Sequence, residues 1–433
     1  MAMDGKELVE KLAKLSQVQS IKDIPHLTHA LFPGTHCPLM GAAMAVGGIK
    51  DSLIVVVGTD ECTYYTKSMT IHSEKFGGID GRCVSVVLDD HDVTFGSAEK
   101  VQEAFKEIIE EYRPQCVFLV TTCVIEIIGD DFDAISEGLS KLYGIPVLPV
   151  HTEHFKCEDH LPGLERTITV CAEMMKSCDC DNSVNLLGQR MGDFATTELY
   201  AMLQKAGVKI GLQLPCGCSV DDIKNAAAAK VNIVVNDIAL PLAQKMQEKF
   251  GIPYVYFNKF VIPEKIYEAY KNLFVYLELE LPEELEGLYQ NAREEIEKNK
   301  GELEGITYIY GNTPYAVFEM NCFLSSLGMV PQVIQTNRYT EADEPYAKEI
   351  LQYTDPYVCK AANIAPLQYV YDVLSPYLYL GHEFGNRLRQ KGIAIVHSDR
   401  ASGMLGFEVT GYLLQQLVKS VREAKEYRKE LGL

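Results

Sequence analysis

Short apolar runs rich in β-branched residues recur along the whole chain, each bounded by Gly, Pro, Asn or Asp. They fall at 53–57, 83–88, 116–120 and 147–150, then at 184–187, 209–214, 231–235 and 254–257. A last group follows at 306–310, 333–335, 357–359, 377–380 and 393–396. The runs do not alternate with polar residues, which is the pattern of central strands covered on both faces. Between them apolar residues return at helical spacing, as in Val101, Phe105, Ile108, Ile109 and Tyr112. Strand alternating with helix over the full length predicts an α/β fold of parallel sheets with right-handed crossovers. Three helical patterns end on Gly-Ile leading into a strand, at Gly144, Gly251 and Gly392. A glycine there closes the helix in a left-handed turn.

Two polar stretches break the pattern. One is the turn-rich segment 176–182, and the other is 279–304, dense in Glu and Lys and reading as a solvated helix. Cutting at these predicts three Rossmann-like domains, each a mainly parallel sheet flanked by helices. They run over 1–182, 183–303 and 304–433, the last with a C-terminal helix. In such sheets ligands bind beyond the carboxyl ends of the strands, so the residues just after each strand carry the functional interest. Residues 1–16 read as a charged amphipathic helix. They lack the apolar core of a signal peptide, and a cytoplasmic location is expected.

Composition narrows the partners. A chain of 433 residues exceeds one ordinary core. With 47% hydrophobic and 23% charged residues it is globular. A net charge of −20 supplies no basic footprint for phosphates, so nucleic acid is not expected as a partner. No apolar run reaches membrane-spanning length, so no membrane partner is expected either. Thirteen cysteines, an odd number without a signal peptide, do not read as a disulfide framework. Most read as buried thiols, with a few left for chemistry.

Three of those cysteines stand where a strand or loop meets the start of a helical pattern. Cys37 lies in Gly-Thr-His-Cys-Pro-Leu, Cys62 in Gly-Thr-Asp-Glu-Cys-Thr-Tyr-Tyr, and Cys123 in Thr-Thr-Cys-Val-Ile-Glu-Ile-Ile-Gly-Asp-Asp. This is what an iron–sulfur cluster needs: thiolates bind iron, and first-turn N–H groups favour the cluster's negative charge. Three ligands are one short of closing a four-iron cluster, which points to a subunit interface supplying the rest.

Other positions carry two readings each. Cys216-Gly-Cys218 is either a soft-metal pair at a strand end or a tight turn with two incidental thiols. Cys178 and Cys180 lie in a polar linker, while Cys83, Cys116 and Cys322 read as core. His151-Thr-Glu-His154 follows a strand, as a proton shuttle or as an interfacial turn. His397 is a cluster or substrate contact, or a satisfied histidine at a strand end. The catalytic group is not specified by the sequence; His397 and His154 are the candidates. Asp130 and Asp131 read as caps of the helix near Phe132, Glu126 lies close to Cys123, and Asn312-Thr-Pro314 would line a cleft of the third domain.

The cysteine segments resemble those of the nitrogenase component 1 subunits and their relatives. These include the cofactor-assembly scaffolds, the dark-operative protochlorophyllide and chlorophyllide reductases, and methylthio-alkane reductase. Ser73-Glu74 and Phe95-Gly-Ser-Ala-Glu-Lys100 are similar to the family's segment before the third cysteine. Asn185–Gly188, 228–234 and 251–258 are similar to its second domain, and 377–381 and 392–397 to its third. The resemblance implies an interface iron–sulfur cluster with Cys37, Cys62 and Cys123 as ligands from this side. It is either a single cubane (4Fe-4S) or the larger 8Fe-7S P cluster. The implied partners are a homologous component 1 subunit, in a heterodimer, heterotetramer or homodimer, and an ATP-dependent iron protein that delivers electrons. A second complex metallocluster or a substrate would receive them. The family's cofactor cysteine follows a second-domain strand, and here Asn236-Asp237 holds that place. The implied function is a component 1 oxidoreductase subunit; the alternative is a scaffold subunit for metallocluster assembly without turnover.

Overall fold

The computed structural model describes residues 4–27, 36–64, 81–157, 159–190, 192–311, 313, 315–360 and 364–433. Gly34, Thr35, Tyr65, Ser73, Glu74, Asn312 and Pro314, singled out above, lie outside the described residues. Every run marked as a strand is one, to within a few residues, and the strands form three α/β sheets.

The first sheet is wholly parallel, in the order Cys83–Val87, Ser52–Gly58, Cys116–Thr121, Val147–Val150. The second is parallel as well, in the order Tyr254–Tyr256, Val231–Val234, Val184–Gln189, Ile210–Pro215. The third runs Tyr357–Cys359, Val330–Gln335, Thr307–Tyr310, Leu378–Leu380, Ala394–Val396, all parallel. Strand Ser52–Gly58 shows why the runs do not alternate. Leu53, Val55 and Val57 face one core with Val101, Phe105 and Ile108 of a covering helix. Ile54 and Val56 face another, shared with Leu187 and Val234 of the second sheet. Both faces are buried, so both must be apolar. Gly144 and Gly251 end their helices at φ +70 and +74, the left-handed closure that the Gly-Ile pattern predicts.

The N-terminus departs from expectation. Among the described residues of this stretch the α-helix is Gly5–Glu10 alone, and Ala13–Lys14 then pairs antiparallel with Tyr357–Cys359 at the edge of the third sheet. An open edge offers unpaired backbone groups. Asp355 accepts from the Ser16 amide and hydroxyl, and the Lys14 ammonium sits 3.6 Å from the centre of the Tyr357 ring. Leu8 and Leu12 fill one face of that sheet and Leu15 the other, so these residues, reckoned with the first domain from the sequence, pack on the third sheet. The acidic stretch is a helix, Glu284–Leu303, lying along the C-terminal helix Glu408–Leu431. Among the described residues no helix is long and apolar enough to cross a membrane.

Candidate functional site

Cys37, Cys62 and Cys123 all belong to the first sheet's surroundings, and each is placed by a backbone device. Cys37 is the N-cap of helix Pro38–Gly47, with Pro38 at the first helical position, where its missing N–H costs nothing. That helix is clamped against Leu161–Val170. A Cβ on Gly41 would lie 1.9 Å from the His160 carbonyl oxygen, and one on Gly163 would lie 1.8 Å from that of Pro38. Cys62 lies in a helical turn just past Ser52–Gly58, and Cys123 is the first residue of helix Cys123–Ile128, just past the neighbouring strand. Two of the thiols therefore stand at the carboxyl ends of adjacent parallel strands.

All three are half-buried, whereas Cys83, Cys116, Cys171, Cys218, Cys322 and Cys359 are buried. The Thr59 hydroxyl donates to Cys62 Sγ at 3.5 Å, and His154 Nδ1 lies 3.4 Å from Cys123 Sγ. Burial pushes the Cys123 thiol up, and the charges of Cys62 and then Cys37 push it further. The Cys123 thiol is thus within electrostatic reach of both other sulfurs. Among the described residues the three do not form a set tight enough for a single ion.

Residues 37–422 match the family model for nitrogenase component 1 type oxidoreductases. The chain belongs to that family. Similar relatives include a nitrogenase iron-molybdenum cofactor biosynthesis protein NifE from Clostridium pasteurianum. It is 31% identical over 224 residues, covering 51% of this chain and 49% of that protein. The NifE of Rippkaea orientalis is 25% identical, covering 73% and 69%. The nitrogenase molybdenum-iron protein alpha chain of Methanosarcina barkeri is 25% identical, covering 68% and 58%. The match thus spans between about half and two thirds of these relatives' length. Among solved structures, nitrogenase Cp1 at pH 6.5 superposes with a TM-score of 0.76, covering 92% of this chain and 94% of that one at 15% identity. That likeness concerns the fold.

In this component 1 chain the remaining candidates are dispersed. Cys218 lies in the short strand Cys218–Ser219, paired with Ile49–Lys50, and its thiol is in the core, pushed up to about 12 by burial. Cys216 is half-buried and donates to the Arg190 carbonyl at 3.4 Å. The two thiols therefore have different surroundings. Cys178 and Cys180 are exposed. His397 is exposed just past Ala394–Val396. Asn236 accepts from the Ile238 amide at 3.2 Å, and Asp237 faces Arg338 Nη1 at 3.5 Å. Both are engaged locally, and neither offers a soft donor, so the residues at this place do not fit an anchored metallocluster.

Beside Cys123, Glu126 accepts from the Thr121 hydroxyl, and His151 Nε2 lies 3.3 Å from Asp133. Asp131 caps its helix by accepting from Ala134, while Asp130 accepts from the Ser97 amide and hydroxyl. Sequence reasoning passed over Arg190, Lys259 and Arg338. Each follows a strand, at Val184–Gln189, Tyr254–Tyr256 and Val330–Gln335, so the strand-end rule was signal enough to find them.

Proposed function

We propose that this chain is one subunit of a nitrogenase-like component 1 oxidoreductase, holding with Cys37, Cys62 and Cys123 an iron–sulfur cluster completed by a homologous subunit. The observation that carries this reading is the grouping of three half-buried thiols at one end of one sheet, with Cys62 and Cys37 both raising the Cys123 thiol. Such a cluster, when bound, supplies one-electron transfer, with electrons delivered by an ATP-dependent iron protein. The chain's own residues fix the donors. The clamped helix orients Cys37, the Thr59 hydroxyl donates to Cys62, and His154 stands against Cys123. Tyr64, Ile127 and Phe155, with 65%, 71% and 71% of their surfaces exposed, give the neighbouring surface an apolar character suited to a subunit contact.

A scaffold role is the second reading. It is favoured by the similarity to proteins named for cofactor biosynthesis and by Asn236 where a cofactor cysteine would stand.

The test is iron and acid-labile sulfide content with EPR on anaerobically purified protein, co-expressed with a second component 1 subunit, beside Cys62→Ala. A brown wild type and a variant stripped of most of its iron are expected. Colourless protein in both, with the subunits associated, would overturn the cluster reading. A scaffold passes its cluster to an apo-acceptor without turnover, whereas a reductase consumes reductant only with ATP, iron protein and substrate.

A further inference from the structure

Arg338 has an opposite charge within reach, but Arg190 and Lys259 do not form an ion pair with any described residue. Lys259 is only 7% exposed. Its ammonium donates to the Ser402 carbonyl, in the turn Asp399–Gly403 that follows the last strand of the third sheet. Arg190 stands past the adjoining part of the second sheet. Its loop is held against the same turn: a Cβ on Gly192 would lie 2.7 Å from the Gly403 Cα, and Gln189 Nε2 donates to the Gly403 carbonyl at 3.4 Å. Backbone contact therefore brings two cations into one junction. Burial first, and then the charge of Arg190, pulls the Lys259 ammonium down to about 7. Burial likewise lowers Arg190, against the pull of Asp237.

Two like charges held together out of water are expensive to keep, and Asp237, the carboxylate that draws most on Arg190, already faces Arg338; such arrangements mark binding sites. The donor set is also a specific one. A guanidinium offers a planar fork to two oxygens, and an ammonium with one hydrogen on Ser402 retains two for other acceptors. We propose that Arg190 and Lys259 form a binding site for the carboxylate or phosphate group of a small ligand, at the junction of the second and third sheets. This deepens the reading above, on which it rests, by assigning an acidic ligand class to the junction beyond the strand ends.

The test is thermal unfolding of the full chain titrated with inorganic phosphate and, separately, succinate, each against chloride at matched ionic strength. Wild type is compared with Arg190→Gln, Lys259→Met and the surface control Lys249→Met. A saturable rise in Tm is expected for wild type and the control, with apparent affinity at least about tenfold weaker in Arg190→Gln and Lys259→Met. The arm that responds identifies the phosphate or the carboxylate source. No rise beyond chloride in either arm, or a rise unchanged in Arg190→Gln, overturns the proposal. That variant alone decides if Lys259→Met does not fold. Repeating the titration on Cys62→Ala separates the two readings, because anion binding should survive loss of iron.

Discussion

Gly58 and Thr122 touch so closely that a Cβ on residue 58 would lie 1.9 Å from the Thr122 hydroxyl oxygen. That hydroxyl donates to the Val57 carbonyl at 2.9 Å, tying together the ends of the two strands that present Cys62 and Cys123. The glycine is therefore a spacing element for the thiols. Gly58→Ala should force the strand ends apart, costing about 2 kcal/mol by overpacking. Denaturant unfolding would report the loss, and iron per protein should fall as well. Normal iron and stability would show that the contact does not set the thiol spacing.

The cysteines divide into donors and core, and substitution should separate the classes. Cys123→Ser alters a half-buried thiol and should remove iron with little change in unfolding free energy of the metal-free chain. Cys116→Ala removes a fully buried side chain and should cost about 1 kcal/mol while leaving iron in place. Metal analysis and unfolding on the same preparations check both. Iron loss in Cys116→Ala without unfolding would contradict the division.

Glu319 is 4% exposed, and its Oε1 has no hydrogen-bond partner among the described residues. Burial raises its carboxyl from 4.5 to about 7, against the pull of Lys265. Between those values the folded state holds a proton that the unfolded state has released. Its contribution to stability therefore falls as pH rises from about 4.5 to about 7, and stays low above that. Glu319→Gln should remove this fall and stabilise the protein at pH 8 by about 2 kcal/mol. His160 titrates in the opposite sense, since burial and then Arg190 lower it to about 4. The informative quantity is thus the difference between variant and wild-type stability across pH. A difference that does not change with pH would mean that Glu319 stays charged in the folded protein.

The strands were legible in the sequence because burial on both faces leaves continuous apolar runs, as in Ser52–Gly58 and Cys116–Thr121. The cysteine site was legible for a different reason: helix starts after strands are marked by small and polar residues, and cysteine is conspicuous among them. The N-terminal strand was not, because Ala13–Lys14 has no strand pattern of its own and is extended only by the edge it meets. The Arg190–Lys259 junction was also hidden. Each residue looks like an ordinary surface cation until the fold brings the turn Asp399–Gly403 against both loops. Cys216-Gly-Cys218 shows the converse: a striking spacing in sequence, yet Cys218 is taken into the core by its pairing with Ile49.

Phe155 stacks on His154 with ring centroids 5.8 Å apart, and His154 in turn meets Cys123. The Phe155 side chain is mostly exposed, as are those of Ile127 and Tyr64 on the segments bearing Cys123 and Cys62. A charge placed there disturbs no buried contact, so Phe155→Glu should change the stability of the isolated chain by less than about 0.5 kcal/mol. If this surface meets the second subunit, the same charge would have to be desolvated on association, and binding should weaken about tenfold or more. Light scattering of the co-expressed subunits should then show dissociation at micromolar concentration. Iron should be lost together with the association, because the cluster would lack the donors of the other side. Phe95→Glu supplies the comparison, since Phe95 is 76% exposed on a different helix, Asp90–Phe95. Association that survives Phe155→Glu with full iron would move the subunit contact away from His154, and the cysteines would then need their remaining donors from elsewhere.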